Sequence, residues 1–347
     1  MKKIPAVFVH IVTWNSEESI RECIAHVLGQ SQYTLGKNLF VHITDNASED
    51  HTVEYIHECL QEGITYSQNK VNVGFSGGHN QGVEKFLQSE CEVLLILNSD
   101  VGLSAEFLVS SVYRLSAQRK IGIVTPKLLR ALPSLEPIYP FVLDACGMEL
   151  TGACRHFDRG SGTWDNGQFD TGEIVFGATG ACLLISKECI SSVSLPKQLP
   201  NQDLFEIYPQ LQEGYSTRVE LFDEAFFAYR EDADLSWRAQ TLGWRCWYEP
   251  EAVGYHVRFV LPERRKSLPP GINMLGVRNR FLLQMNNWRF ANGVWMLLWG
   301  IVVRNLIVLA GVLIQERSSM QGLLQARRLW PRSRHIRRWI NERRTAL

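Results

Sequence analysis

The sequence predicts an α/β protein with a mainly parallel central sheet flanked by helices and a small antiparallel portion. Two observations carry this. Apolar runs at residues 6–13, 39–44 and 91–100 each finish in a polar cluster, and helical patterns separate them. Residues 6–13 read as a buried strand, followed by Asn15, Ser16 and Glu17 at a helix start whose apolar face is Ile20, Ile24 and Val27. The second strand ends at Asp45, Asn46 and Ser48, and residues 65–68 make a short third one. The stretch NVGFSGGHNQGVE, residues 72–84, is dense in glycine and asparagine and reads as a loop opening the next helix. CEVLLILNSD, residues 91–100, is an apolar strand ending in Asn98, Ser99 and Asp100. Polar groups at the carboxyl ends of strands line the ligand crevice of an open parallel sheet, which makes Asp100 a candidate metal ligand. No GxGxxG follows the first strand, so the dinucleotide fingerprint is absent.

The most informative stretch is residues 219–258. It places Glu231, Asp232 and Asp234 at the start of a helix and His256 just beyond a short strand. That pattern can deliver a carboxylate base and an imidazole to one polar pocket. The plainer readings are a helix-start acid for Asp232, a strand-end histidine for His256, an N-cap for Asp100 and an Asx turn for Asp45.

A chain of 347 residues fits one large α/β domain with appendages. Its net charge is zero, yet residues 321–347 hold eight arginines and one glutamate. Residues 294–314 form an apolar run broken only by Arg304 and Asn305, with Trp288, Trp295 and Trp299 near its start. The run is long enough to span a bilayer, but a central arginine is costly there, so a helix in the membrane interface is expected. A buried or self-associating helix, in a homo-oligomer, is the other reading. The basic tail would add about 1 kcal/mol per residue at an anionic surface, and lipid is preferred over nucleic acid as its partner. The N-terminus opens directly into a strand, with no signal peptide expected. Eight scattered cysteines with no CxxC pair argue against disulfides or zinc and for a reducing compartment.

Between 133 and 172 the chain is irregular, with a hairpin expected through GMELTGACRHFDRG and Met148 and Leu150 on its inner face, placed to cover a donor sugar. Between 191 and 217, Pro196, Pro200 and Pro209 argue against a long helix, leaving an acceptor-side loop or a surface insertion.

In order and spacing, VHIVTWNSEESIREC, VHITDNASEDHT, NVGFSGGHNQGV, LLILNSD, FGATGACLLISKE, LFDEAFFAYREDADLSWRAQTLGW and the HVR after it resemble the inverting family 2 glycosyltransferases of the GT-A fold. Within that family the likeness is to bacterial rhamnosyltransferases of cell-surface polysaccharide synthesis, and RNRFLLQMNN, residues 278–287, extends it beyond residues 5–260. The resemblance implies a catalytic domain over 1–260, with a nucleotide-binding half to about residue 130 and an acceptor half from 131, then membrane-associating helices and a basic tail over 261–347. It implies nucleotide contacts at Thr13 and Asn15, a base contact at Asp45, and a pyrophosphate loop at Asn72, Gly74, Gly77 and Asn80. Asn98, Ser99 and Asp100 fall at the family's DxD, with Asn98 where many members carry Asp. Asp100 and His256 are the implied ligands of Mg2+ or Mn2+, Asp232 the catalytic base, and Glu231 and Asp234 acceptor-side support. The implied reaction moves L-rhamnose from dTDP-L-rhamnose to a sugar on a polyprenyl diphosphate, at the cytoplasmic face of the bacterial inner membrane. The alternatives are another donor, such as a UDP-hexose or UDP-galactofuranose, or a non-catalytic glycan-binding or scaffolding domain.

Overall fold

The computed structural model describes residues 4–118, 120–215, 219–258, 269–314 and 316–345. The first half alternates strand and helix: β1 (Val7–Thr13), α1 (Ile20–Leu28), β2 (Leu39–Asp45), α2 (Thr52–Cys59), β3 (Ile64–Gln68), α3 (Gly74–Gln88) and β4 (Val93–Asn98). These four strands pair in parallel in the order β4-β1-β2-β3. The register sets Thr13 beside Asp45 and Val12 beside Asn98, so the polar carboxyl ends of β1, β2 and β4 lie level along one edge.

Helix α3 begins at Gly74, inside the stretch expected to be loop. Its glycines let it sit directly on β1. A Cβ on Gly82 would lie 2.2 Å from the His10 ring, and one on Gly78 would lie 3.0 Å from Val12. A side chain at either position would lift the helix off the sheet.

The second half holds the expected antiparallel portion, which is larger than expected. It contributes β5 (Val101–Leu103), α4 (Phe107–Ala117), β6 (Ile121–Arg130), β7 (Leu143–Ala145), β8 (Met148–Leu150), β9 (His156–Asp158), β10 (Glu173–Val175), β11 (Cys182–Ser186), α5 (Lys187–Val193), α6 (Gln202–Ile207), α7 (Glu231–Thr241) and β12 (Arg245–His256). The ten-stranded sheet is mixed, in the order β10-β12-β6-β11-β4-β1-β2-β3, with β5 on β12 and β7 on β6. Strand β11 runs antiparallel to both β4 and β6. It returns from the irregular excursion after β7 instead of through a helical crossover, and that return reverses its direction. The expected hairpin is present as β8 paired with β9, with Met148 buried and Leu150 partly so.

Helix α8 (Pro270–Asn287) follows, then a π-helical run, Met296–Val303, continuing into α9 (Arg304–Ile314), then α10 (Met320–Arg328) and α11 (Trp330–Thr345). The expected boundary at 260/261 lies outside the described residues. The basic tail, expected to be a surface element, is partly folded into the protein. Ile336 and Ile340 of α11 join the apolar cluster that holds Phe8, Ile190 and Leu235. Arg332 is 1% exposed and bonds Glu220, Asp223 and Asn201. Arg337 caps the carbonyls of Met285 and Gln284 at the end of α8. Burying the cations against fixed acceptors uses charge that the sequence left unassigned. The segment Met296–Ile314 is the reverse case, long and apolar enough to cross a membrane yet with little of it buried.

Candidate active site

The edge where β1, β2 and β4 end becomes a site because β12 delivers His256 to it. His256 pairs with Val101 across β5 and β12, which brings the imidazole Nε2 to 3.6 Å from Asp100 Oδ1. Asp100 Oδ1 is buried and has no hydrogen-bond partner. The other imidazole nitrogen, Nδ1, lies 2.7 Å from Asp144 Oδ2 in the middle of β7. That bond holds a proton on Nδ1 and turns Nε2 toward Asp100, the nitrogen that would be free for a metal once deprotonated. Burial alone would lower the His256 pKa, but Asp100 and Asp144 hold it above its ordinary value. Burial raises Asp100 even with His256 opposite.

The network continues. Asp144, wholly buried, pairs with Arg258 at 2.7 Å, and Arg258 pairs in turn with Asp158 on β9. Asp232 stands beside this pair, where the Arg258 and Asp158 charges both act on it. Its Oδ2 accepts the Gly180 amide at 2.9 Å, and the neighbouring Ala181 carbonyl accepts the Asn98 amide at 2.9 Å. One tight turn therefore ties the base candidate to the end of β4. Burial raises the Asp232 pKa, opposed by the Gly180 hydrogen bond.

Only one of the three acids on α7 reaches solvent. Asp232 is partly exposed, whereas Glu231 and Asp234 are buried. Asp234 bonds Arg238 at 2.6 Å and accepts from Asn286 and Asn287 of α8 at 3.1 and 2.6 Å. It fastens α8 to α7 and offers nothing to an acceptor. Glu231 Oε2 is buried without a partner.

Just before α7, Phe227, Tyr229 and Arg230 all have positive φ, a backbone that L-residues adopt at a cost. Asn279 Nδ2 lies 2.7–2.9 Å from the carbonyls of Phe226, Ala228 and Tyr229, and Arg278 also bonds the Phe226 carbonyl. The RNRFLLQMNN stretch is thus the clamp that holds the turn presenting Asp232.

At the nucleotide end, Thr13 donates to Asp45 at 2.9 Å, and Asp45 also accepts from Ser48 and Gln68. Asp45 has no exposed surface, so here it organises the ends of β1 and β2. Beside it a shallow depression of about 370 Å3 is lined by Ala47, Ser48, Glu49, Gln68, Asn69 and Lys70. Asn15, at φ 52°, bonds Ser48 and Glu49, and Ser99 bonds Ser16 at 2.8 Å. Asn72 caps Gly74, whose missing Cβ would strike the Phe227 carbonyl, and Gly77 packs near Leu211. Asn80 is fully buried and spends its whole amide on residues 221, 222 and 224. Gly74, Gly77 and Asn80 are buried against protein, whereas Asn72, just before α3, is partly exposed. Asp144, Asp158 and Arg258 were missed as site residues, because a carboxylate inside an irregular excursion carries no periodic signal. The resemblance around HVR was the one available hint.

Whether a divalent ion fits can be read from the donors. An orphaned buried carboxylate oxygen 3.6 Å from an imidazole nitrogen, with the far nitrogen held by a second carboxylate, is a two-ligand arrangement open to further oxygen donors. Among the described residues no group of three or more His, Cys, Asp or Glu is arranged to hold a metal, so other ligands would have to come from a substrate or water.

The class defined by this geometry is a GT-A-type fold, a mixed sheet between helices with a polar edge at the ends of its parallel strands. Residues 8–128 match Glycosyl transferase family 2. The chain is 26% identical over 213 residues to the low-salt glycan biosynthesis hexosyltransferase Agl10 of Haloferax volcanii, an alignment covering 60% of this chain and 61% of that protein. Among solved structures, GalNAc-T7 with UDP, GalNAc and Mn2+ superposes with a TM-score of 0.55 at 12% identity, covering 83% of this chain and 49% of that one. The mannosyltransferase PcManGT of Pyrobaculum calidifontis, with GDP-Man and Mn2+, gives 0.50 at 12% identity over 99% and 87% of the two chains. TarS of S. aureus with UDP-GlcNAc gives 0.51 at 16% identity over 98% and 90%. At these identities the structures establish the shared fold. The chain spans less than two thirds of the curated relative and about half of GalNAc-T7.

Proposed function

We propose that this chain is an inverting glycosyltransferase that moves a hexose from a nucleoside-diphosphate sugar onto a saccharide hydroxyl. The observation that carries the proposal is the single polar network linking Asp100, His256, Asp144, Arg258 and Asp158 to the solvent-reaching Asp232. Asp100 and His256 are the residues that would hold Mg2+ or Mn2+, and the ion would offset charge developing on the departing diphosphate. Asp232 takes the proton from the attacking hydroxyl, and burial, by raising its pKa, makes it a stronger base than an exposed carboxylate. The strained turn clamped by Asn279 fixes the carboxylate, so little reorganisation accompanies attack. Glu231, buried behind it, disfavours a second negative charge and keeps that role with Asp232.

The donor assignment shifts from the leading expectation of rhamnose. The relatives are named as a hexosyltransferase or carry UDP- or GDP-linked hexoses and hexosamines, which favours a hexose donor. dTDP-L-rhamnose is the second reading, supported by RNRFLLQMNN after the catalytic domain. The exposed apolar segment Met296–Ile314 supports action at a membrane surface on a lipid-linked saccharide, with the cytoplasmic face as the proposed location. A panel of UDP-, GDP- and dTDP-sugars with Mn2+ or Mg2+, read by mass spectrometry, tests this. Consumption of a hexose donor, lost about 10²–10⁴-fold in Asp232→Asn, is expected. Consumption of dTDP-rhamnose alone would reverse the donor order, and no turnover of any donor would favour a non-catalytic domain.

A further inference from the structure

A group of basic side chains, four arginines and one histidine, lies beside the candidate site and belongs to none of the roles above. Arg155 and His156 are on the β8–β9 hairpin, Arg230 precedes α7, Arg280 is on α8, and Arg304 is the arginine inside the apolar segment. The segment is pressed onto the hairpin tip, because a Cβ on Gly300 would sit 2.9 Å from the Ala153 carbonyl carbon. Arg280, 6% exposed, is fixed by bonds to Asn305 Oδ1 at 3.0 Å and the Gly300 carbonyl at 3.1 Å. Arg230 approaches His156 Nδ1 at 3.4 Å, and Arg155 lies over the Phe157 ring at 4.4 Å. Arg304 Nε is buried with no hydrogen-bond partner. Among the described residues no carboxylate lies within 4 Å of Arg155, Arg280 or Arg304.

The cost of this gathering is visible. Burial, then Arg304 and Arg155, brings Arg280 down to about 10. Burial, followed by Arg230, Arg155 and Arg280, brings His156 down to about 3. Arg155, Arg280 and Arg304, held together with an orphaned donor and with no carboxylate beside them among the described residues, make a seat for a multiply charged anion.

Two neighbours define that anion. On one side, the segment Met296–Ile314 presents Leu306 and Ile307 at 61% and 57% exposure, an apolar track that starts at Arg304. On the other, His156 and Asp158 stand two residues apart on one face of β9, about 7 Å, and Asp158 adjoins Asp232. We propose that this cluster binds the diphosphate of an isoprenoid-linked acceptor, with its lipid along the apolar segment and its first sugar reaching toward Asp232. This rests on the glycosyltransferase reading, and it assigns the acceptor's charged linker to Arg155, Arg280 and Arg304. A bilayer headgroup is the competing source of phosphate. Arg280 is 6% exposed and is held where the segment is pressed onto the hairpin, which favours a single ligand over an open lipid surface.

Farnesyl diphosphate, farnesyl monophosphate and farnesol titrated into the intact protein test the assignment. The diphosphate is expected to bind at least about tenfold more tightly than farnesol, and Arg155→Gln and Arg304→Gln are each expected to remove about tenfold of that affinity. Donor-nucleotide affinity in the same variants should stay unchanged, which also reports that they fold. Equal binding of diphosphate and farnesol, or unchanged affinity in both variants, overturns the proposal. If both variants instead lose binding to phosphatidylglycerol vesicles and keep farnesyl diphosphate affinity, the cluster is a headgroup site and the proposal fails. The titration needs no turnover, so an absence of sugar transfer in the donor panel would count against the catalytic reading separately.

Discussion

Asp144 illustrates how much of the site depends on a residue with no sequence signature. It is fully buried, yet it orients the His256 imidazole and pairs with Arg258. Asp144→Asn is expected to weaken Mn2+ binding in the presence of UDP about 10–100-fold, by titration calorimetry, because partners of this kind orient a metal-binding imidazole. Unchanged affinity would reduce Asp144 to a packing group. Glu231 is the opposite case, a buried carboxyl with an unpartnered oxygen, held well above its ordinary pKa by burial and then by Asp232 and Asp234. Its folded pKa exceeds its unfolded value. The stability it contributes is therefore complete below about pH 4 and is lost as pH rises through the folded pKa. Glu231→Gln should raise the melting temperature at pH 8 and change it little at pH 4. A uniform drop at both would show that the amide cannot be accommodated.

Helix α8 works as an element, not as a set of contacts. Asn279 and Arg278 hold the positive-φ turn, while Asn286 and Asn287 hold Asp234, so one helix positions both ends of the Asp232 segment. The Asp234–Arg238 pair is wholly buried, and removing one partner strands the other. Asp234→Ala is expected to cost about 3–5 kcal/mol in urea unfolding. A cost below about 1 kcal/mol would mean that water reaches Arg238 in the variant. The sequence marked RNRFLLQMNN as family-like but could not say what it clamps, since its partners lie some fifty residues earlier in the chain.

Over the whole molecule, charge and apolar surface are divided between the folded body and the exposed segment. Arg328 pairs with Asp203 and Glu206, and Arg332 and Arg337 are tied into the protein, while Arg327, Arg334 and Arg338 remain exposed. These exposed arginines keep part of the basic tail at the surface. Leu306→Asp with Ile307→Asp should lower partition onto phosphatidylglycerol vesicles about tenfold or more, by flotation, without shifting the melting temperature, since neither side chain is buried. Loss of folding instead would identify the segment as an internal or self-association surface.

The sequence by itself determined the first four strands and the polar ends that make the Asp100 edge, because apolar periodicity and local turn chemistry act over a few residues; the grouping of Asp232 with His256 was an expectation drawn from the family resemblance. It also indicated the hairpin that carries Asp158. Tertiary structure decided what no local pattern records. The reversed direction of β11, the burial of Asn80, Asp234 and Arg332, and the tie from His256 through Asp144 and Arg258 to Asp158 all join positions tens to more than a hundred residues apart. A charge's role is set by whether its neighbours compensate its desolvation, and those neighbours exist only once the chain has folded.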